Sequence, residues 1–232
     1  MRMRALLTGA ALCCAAAHGA YASVYVLNFA GLDGNLTEGV GDYYNGGAGS
    51  LGSGPGPNDG IAFSSNALTC SGQPTGACNT AQIPGGPGAN ALFFLGGGAA
   101  IMDVAAGFTT DFSFYYSAAY TPDVVDIWSG VDDSGTLLAT VDLPTTPDDG
   151  APNCFATDFC PYEAISVTFL GIAKSVDFGT AFGQVGFADL TVGSDGGDAA
   201  PEPASWALML IGVTGVGGAA RRVRGPKAAV AV

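Results

Sequence analysis

Positive charge is almost missing from the middle of this chain. Of the seven Lys and Arg in 232 residues, Arg2 and Arg4 stand at the front and Arg221, Arg222, Arg224 and Lys227 at the back. Lys174 is left alone between them, against nineteen of the twenty Asp and Glu. A nucleic-acid surface needs cations to neutralise phosphate, and one lysine cannot supply them. Chemistry on phosphorylated substrates is disfavoured on the same count. Histidine is scarcer still: the single one, His18, lies in the first twenty residues. Nucleophile systems of the Ser-His-Asp or Cys-His kind, and zinc sites of the usual His or Cys type, therefore lack a ligand or base. The chain also shows no amphipathic helical period between residues 23 and 200 and no EF-hand pattern. What remains is an acidic, glycine-rich stretch suited to solubility outside a cell.

The two ends read as addresses. Arg2 and Arg4 precede an apolar run from Ala5 to Ala17, and Ala20-Tyr21-Ala22 supplies small residues at the two positions a signal peptidase reads. Residues 1–22 therefore read as a secretory signal peptide, cut after Ala22. At the other end, residues 204–220 are uncharged and mostly apolar. As a helix they would reach about 25 Å, a short but workable match to a bilayer core about 30 Å thick. Trp206 stands at one end of the run and Arg221, Arg222 and Arg224 at the other. The positive-inside rule then places residues 225–232 in the cytoplasm and everything before Pro201 outside.

Pro201-Glu202-Pro203, Trp206, the glycine-containing apolar run and the closing Arg221, Arg222 and Arg224 resemble the PEP-CTERM sorting signal of Gram-negative bacteria. The resemblance covers about the last thirty residues. It implies recognition of residues 201–224 by an exosortase, cleavage at or near the Pro-Glu-Pro element, and an association with exopolysaccharide and biofilm. The chain departs from the usual signal in running on from Arg224 to Val232.

Four cysteines fall between these ends: Cys70, Cys78, Cys154 and Cys160. An exported chain can oxidise them, and three connectivities are open. The favoured one is Cys70–Cys78 with Cys154–Cys160, because each pair brackets a short segment that can form a loop. A four-cysteine zinc site would ask for closer spacing within each pair.

Along the interval 23–192 the patterning is that of strands. Residues 24–29 open with strand formers. Residues 31–60 are rich in glycine and poor in large apolar side chains, and read as a long surface loop. Short strands are expected at 61–63 and 92–95. Phe112, Phe114 and Tyr116 alternate with Asp111, Ser113 and Tyr115, the period-two signature of a strand with one buried face. Further strands are expected at 124–128, 136–143, 165–169, 175–178 and 187–192, the last with Ala188, Leu190 and Val192 on one face. Residues 193–200 form a polar linker. Short alternating strands separated by turns predict an all-β fold, an antiparallel β-sandwich. The order of aromatic strand, Asp132-Asp133-Ser134-Gly135 turn, strand, cysteine loop and closing strands resembles the jelly-roll modules of secreted bacterial proteins. In that pattern the last strand often carries two adjacent acidic residues; here Ala188 replaces the first and Asp189 remains.

No catalytic constellation emerges. Asp132 and Asp133 are candidate calcium ligands, although aspartates in a turn are first of all turn formers. Tyr43 and Tyr44, with Asn45 and the glycines around them, are candidate glycan contacts on an exposed loop. No motif selects a carboxylate pair for glycoside hydrolysis. The sequence thus predicts an exported, exosortase-sorted surface or matrix protein without enzymatic activity and without a required cofactor. Its partners would be signal peptidase, exosortase, membrane and exopolysaccharide. A carbohydrate-binding sandwich with structural calcium is the second expectation and a glycosidase a distant third.

Overall fold

The computed structural model describes residues 24–72, 76–80, 83–96, 98–109, 111–147 and 159–193. The chain divides into two units, Met1–Ser194 and Asp195–Val232, and the fold described below belongs to the first. The expected signal peptide at 1–22, Cys154, residues 194–200 of the expected linker and residues 201–232, including the apolar stretch 204–220, lie outside the described residues. Among the described residues no helix is long and apolar enough to cross a membrane.

Among the described residues, eleven strands form two antiparallel sheets. They are β1 (Tyr25–Leu27), β2 (Ile61–Phe63), β3 (Leu68–Cys70), β4 (Ala91–Phe93), β5 (Ile101–Phe108), β6 (Asp111–Ala118), β7 (Asp123–Trp128), β8 (Leu137–Leu143), β9 (Glu163–Thr168), β10 (Ala173–Asp177) and β11 (Val185–Val192). The larger sheet runs β3-β4-β11-β6-β9, with β1 also paired to β11; the smaller runs β2-β5-β10-β7-β8. The all-β, two-sheet antiparallel architecture expected from the alternation is therefore what the chain adopts.

The core lies between the sheets, and its centre is aromatic. Alternation sends Phe112, Phe114 and Tyr116 of β6 inward, all nearly inaccessible. Phe187 of β11 and Phe178, just past β10, complete a closed cycle of ring contacts. Phe112–Phe114 centroids lie 5.3 Å apart, Phe114–Phe187 5.7 Å, Phe187–Phe178 4.9 Å and Phe178–Phe112 6.2 Å. Three of the four are edge-on and Phe112–Phe114 is tilted; such contacts add to the stabilisation from area buried.

Two features depart from the sequence expectation. First, residues 31–60 form a surface loop only in their second half, where 45–60 are mostly exposed, while the first half enters the core. Leu32, Val40, Tyr43 and Tyr44 are buried in the main core, and the segment is held by one buried carboxylate. Glu38 Oε2 accepts the Asp33 N–H at 2.7 Å; Oε1 accepts those of Leu51 and Ser53 at 2.9 and 3.1 Å. The Glu38 carbonyl in turn accepts both the N–H and the hydroxyl of Thr69 in β3. A few side chains and one acceptor hub thus replace a strand ladder. Gly49 has to be glycine here, because a Cβ would run into the Glu38 carboxylate and Leu32.

Second, β11 carries a β-bulge. Its register to β6 shifts between Ala188 and Thr191, and Asp189 adopts φ 50°. The extra residue reverses the alternation. Phe187, Leu190 and Val192 face the main core, whereas Ala188 turns to the outer face and joins Cys70, Ile83 and Ala91 in a second small cluster. The expectation that Ala188 shares a face with Leu190 and Val192 is corrected on that ground.

The second cluster caps part of the outer face of the larger sheet. Cys70 and Cys78 form the expected disulfide, with Cα atoms 5.6 Å apart. Tyr162 packs against the cap, and the Thr80 hydroxyl contacts both the Tyr162 hydroxyl at 2.9 Å and the Phe159 carbonyl at 3.0 Å. Burial pushes the Tyr162 phenol up to about 12. Cys160 is also disulfide-bonded.

Candidate functional site

The cap leaves the rest of that outer face open. Where it stops, residues from three strands line a groove of about 400 Å³: Ser113 and Tyr115 of β6, Ala164 and Ser166 of β9, and Asp189 and Thr191 of β11. The register explains the set. Thr191 pairs with Ser113 and Ser113 with Ser166, giving a rung of three hydroxyls across three strands. One step along, Tyr115 pairs with Ala164 on one side and Ala188 on the other. Tyr115 is 37% exposed, so its ring borders the rung while remaining open to solvent. The bulge re-aims Asp189, whose left-handed backbone is unusual for a non-glycine residue. The arrangement offers neutral donors and acceptors, one carboxylate and one aromatic ring, and no cation. It suits an uncharged, polyhydroxylated ligand better than an anion.

A second concavity, of about 650 Å³, lies on the smaller sheet and is lined by Asp123, Asp126, Asp142 and Asp177 with Pro122 and Pro144. Three of these carboxylates already hold the fold. Asp123 accepts the N–H groups of Thr180 and Ala181, Asp126 accepts the Thr140 hydroxyl at 2.6 Å, and Asp177 accepts the Gly179 N–H at 2.8 Å. Burial raises the pKa of Asp123 and of Asp177 against the pull of these donors. Asp126 and Asp177 stand opposite each other across β7 and β10.

The candidate calcium ligands sit in the β7–β8 turn, which folds back over the smaller sheet. The Asp132 N–H donates to Asp103 at 2.9 Å and the Asp133 N–H donates to the Ser175 hydroxyl at 3.1 Å. Both residues are left-handed, φ 49° and 54°, as the turn demands. Among the described residues no group of three or more His, Cys, Asp or Glu side chains is placed to hold a metal ion.

Asp133 Oδ1 is buried without a hydrogen-bond partner. Burial, then the charges of Asp177, Asp103, Asp132 and Asp126, push this carboxyl up to about 6 from 3.8. The folded state thus keeps a proton that the unfolded chain has released, so stability falls as pH rises from 3.8 to about 6. With a discount for the solvent that reaches this side chain, the charge costs about 1 kcal/mol above that window. Asp133→Asn, which tolerates the left-handed backbone, is expected to recover this amount at pH 7.5 and nothing at pH 3.5. Urea unfolding at the two pH values checks it. An equal gain at both would mean the charge is not the cause.

The candidate glycan contacts need correction. Tyr43 and Tyr44 are buried, stacked edge-on with centroids 5.2 Å apart. The Tyr44 hydroxyl accepts the Phe29 N–H at 2.8 Å. Neither ring faces solvent, because the glycines around them let the chain fold inward rather than loop out. Asn45 is exposed but bridges to Asn58 in the backbone. The groove residues Ser113, Tyr115, Ser166 and Thr191 were not singled out from the sequence. The signal for them was the polar phase of the alternating strands, the face opposite Phe112, Phe114 and Val167.

No protein-family model matches the chain, and no curated protein matches it by sequence. Solved structures overlap it in part. A family 6 carbohydrate-binding module from Clostridium stercorarium, in complex with cellobiose, shares 18% identity at a TM-score of 0.33, covering 58% of this chain and 92% of that one. A family 29 carbohydrate-binding module shares 14% at 0.34, covering 64% and 93%. The K3 adhesin domain of Lys-gingipain from Porphyromonas gingivalis shares 8% at 0.34, covering 49% and 79%. No residue of the groove is assigned from these structures.

Proposed function

We propose that this chain is an exported, surface-associated protein that binds a neutral polysaccharide through the β6–β9–β11 groove. The observation that carries the reading is the uncovered rung of Thr191, Ser113 and Ser166 bordered by the open ring of Tyr115 and by Asp189. Sugar rings present CH faces to aromatics and hydroxyls to polar groups, and the groove offers both. The near absence of cations between the chain ends supports a neutral rather than an acidic glycan. We read the sandwich as jelly-roll-like and the protein as non-enzymatic; three carboxylates of the acidic concavity are engaged in holding backbone and a hydroxyl.

The binding test is affinity electrophoresis against neutral and uronate-containing exopolysaccharide. Tyr115→Ala is expected to weaken retention about tenfold, or about 1.4 kcal/mol, with stability nearly unchanged. Unaltered retention, or retention only by the acidic polymer, would sink the reading.

Delivery follows from the chain ends. Signal peptidase cleaves after Ala22, the stretch 204–220 holds the protein in the membrane, and an exosortase cuts near Pro201-Glu202-Pro203. Intact mass of the protein from its native host is expected to show a species beginning near Ser23 and lacking the segment after Pro201. A species that retains Trp206 to Val232 would replace sorting by permanent anchoring.

A further inference from the structure

One end of the sandwich carries an apolar rim. The β9–β10 loop presents Leu170, 91% exposed, and Ile172, 55% exposed. Ile172 lies against Gly107 near the end of β5, and Gly171 lies beside Leu138 at the start of β8. The neighbouring Leu137 is 44% exposed, and Ala105 and Ala106 of β5 are exposed as well. Two further facts converge on this end. Lys174, the lone cation of the interval, has its stem against Gly107. The main chain also leaves the larger sheet here: the Gly193 N–H donates to the carbonyl of Asp111, which opens β6 opposite Thr168 of β9. Ten residues, 194–203, then precede the apolar stretch 204–220. Fully extended they span at most about 35 Å.

We propose that this rim, centred on Leu170 and Ile172, rests on the surface of the lipid bilayer while the chain is held there by its C-terminal segment. The inference depends on the reading of residues 204–220 as a membrane span. Apolar loop tips beside a single cation match the boundary between acyl chains and phosphate headgroups. Nearby carboxylates such as Asp111 favour zwitterionic over anionic lipid. The exit of the chain at the same end makes the contact intramolecular in effect, so a small apolar area suffices where it would fail in free solution.

The test uses the full chain in vesicles of phosphatidylcholine and phosphatidylethanolamine. An environment-sensitive fluorophore is attached in Leu170→Cys and, as a control at the opposite end of the sandwich, in Phe182→Cys; both positions are well exposed, so folding is preserved. The expected result is quenching of the label at 170 by nitroxide-bearing lipids, at a depth of about 5–10 Å, with none at 182. An alkaline carbonate wash of the same vesicles reports anchoring separately. Chain that stays anchored but shows equal quenching at 170 and 182 overturns the rim contact alone. Chain that washes off overturns the membrane-span reading and the rim contact with it.

Discussion

Glu38→Ala is expected to destabilise the domain by about 3–5 kcal/mol, because it leaves three backbone N–H groups of Asp33, Leu51 and Ser53 without their acceptor inside the fold. The carboxylate is inaccessible, so water cannot replace it without the segment opening. Burial by itself would raise its pKa, but the donors from Asp33, Ser53 and Leu51 outweigh it and the pKa is lowered below 4.5. The sign follows: the contribution is fully present above the unfolded value of 4.5 and is lost as pH falls through the lower folded value. Glu38→Gln should cost less, since it keeps one carbonyl acceptor and turns the other oxygen into a donor facing a donor. Urea unfolding at pH 7 and below pH 4 checks both variants. A loss under about 1 kcal/mol for the alanine variant would mean that residues 31–60 are held by their apolar contacts alone.

Phe187→Ala should cost about 3–5 kcal/mol by removing one member of the phenyl cycle and leaving a cavity between the sheets. Phe187, Phe112 and Phe114 come from the larger sheet and Phe178 from the smaller, so the cycle joins the two layers. Phe187→Leu keeps much of the volume and should lose about 1–1.5 kcal/mol. Thermal unfolding of the pair checks the ranking. Similar losses for both would show that ring geometry, rather than volume, carries the effect.

Strands such as β6 and β9 were legible because apolar and polar residues alternate there, as in Phe112-Ser113-Phe114. β5 was not, because Ala105-Ala106-Gly107 dilutes its pattern. The core role of the first half of the 31–60 segment is hidden in the sequence for a different reason. Its core contribution comes from four scattered side chains and one glutamate whose value lies in what it accepts, and neither leaves a period in the sequence. The bulge at Asp189 is similarly silent: one residue in a left-handed conformation inverts Ala188 while the letters still read as a regular strand. The groove was half legible. Ser113 and Tyr115 could be placed on an outer face, but only the pairing of β11, β6 and β9 aligns Thr191 and Ser166 with them, and only the cap shows which part of that face stays open.

The first strand of the domain and its last are neighbours: β1 pairs with β11 at Tyr25–Val192 through Leu27–Leu190. β11 is also the strand to which β4 and β6 attach. A chain leaves the ribosome N-terminus first, so β1, β4 and β6 each wait for a partner that arrives at the end, while β3 can pair with β4 and β6 with β9 earlier. Contacts this distant in sequence form late and slowly. The larger sheet is therefore complete only once the residues up to 192 are free to pair. Closure of that sheet waits for the last strand, and its timing is set by the order of the strands along the chain.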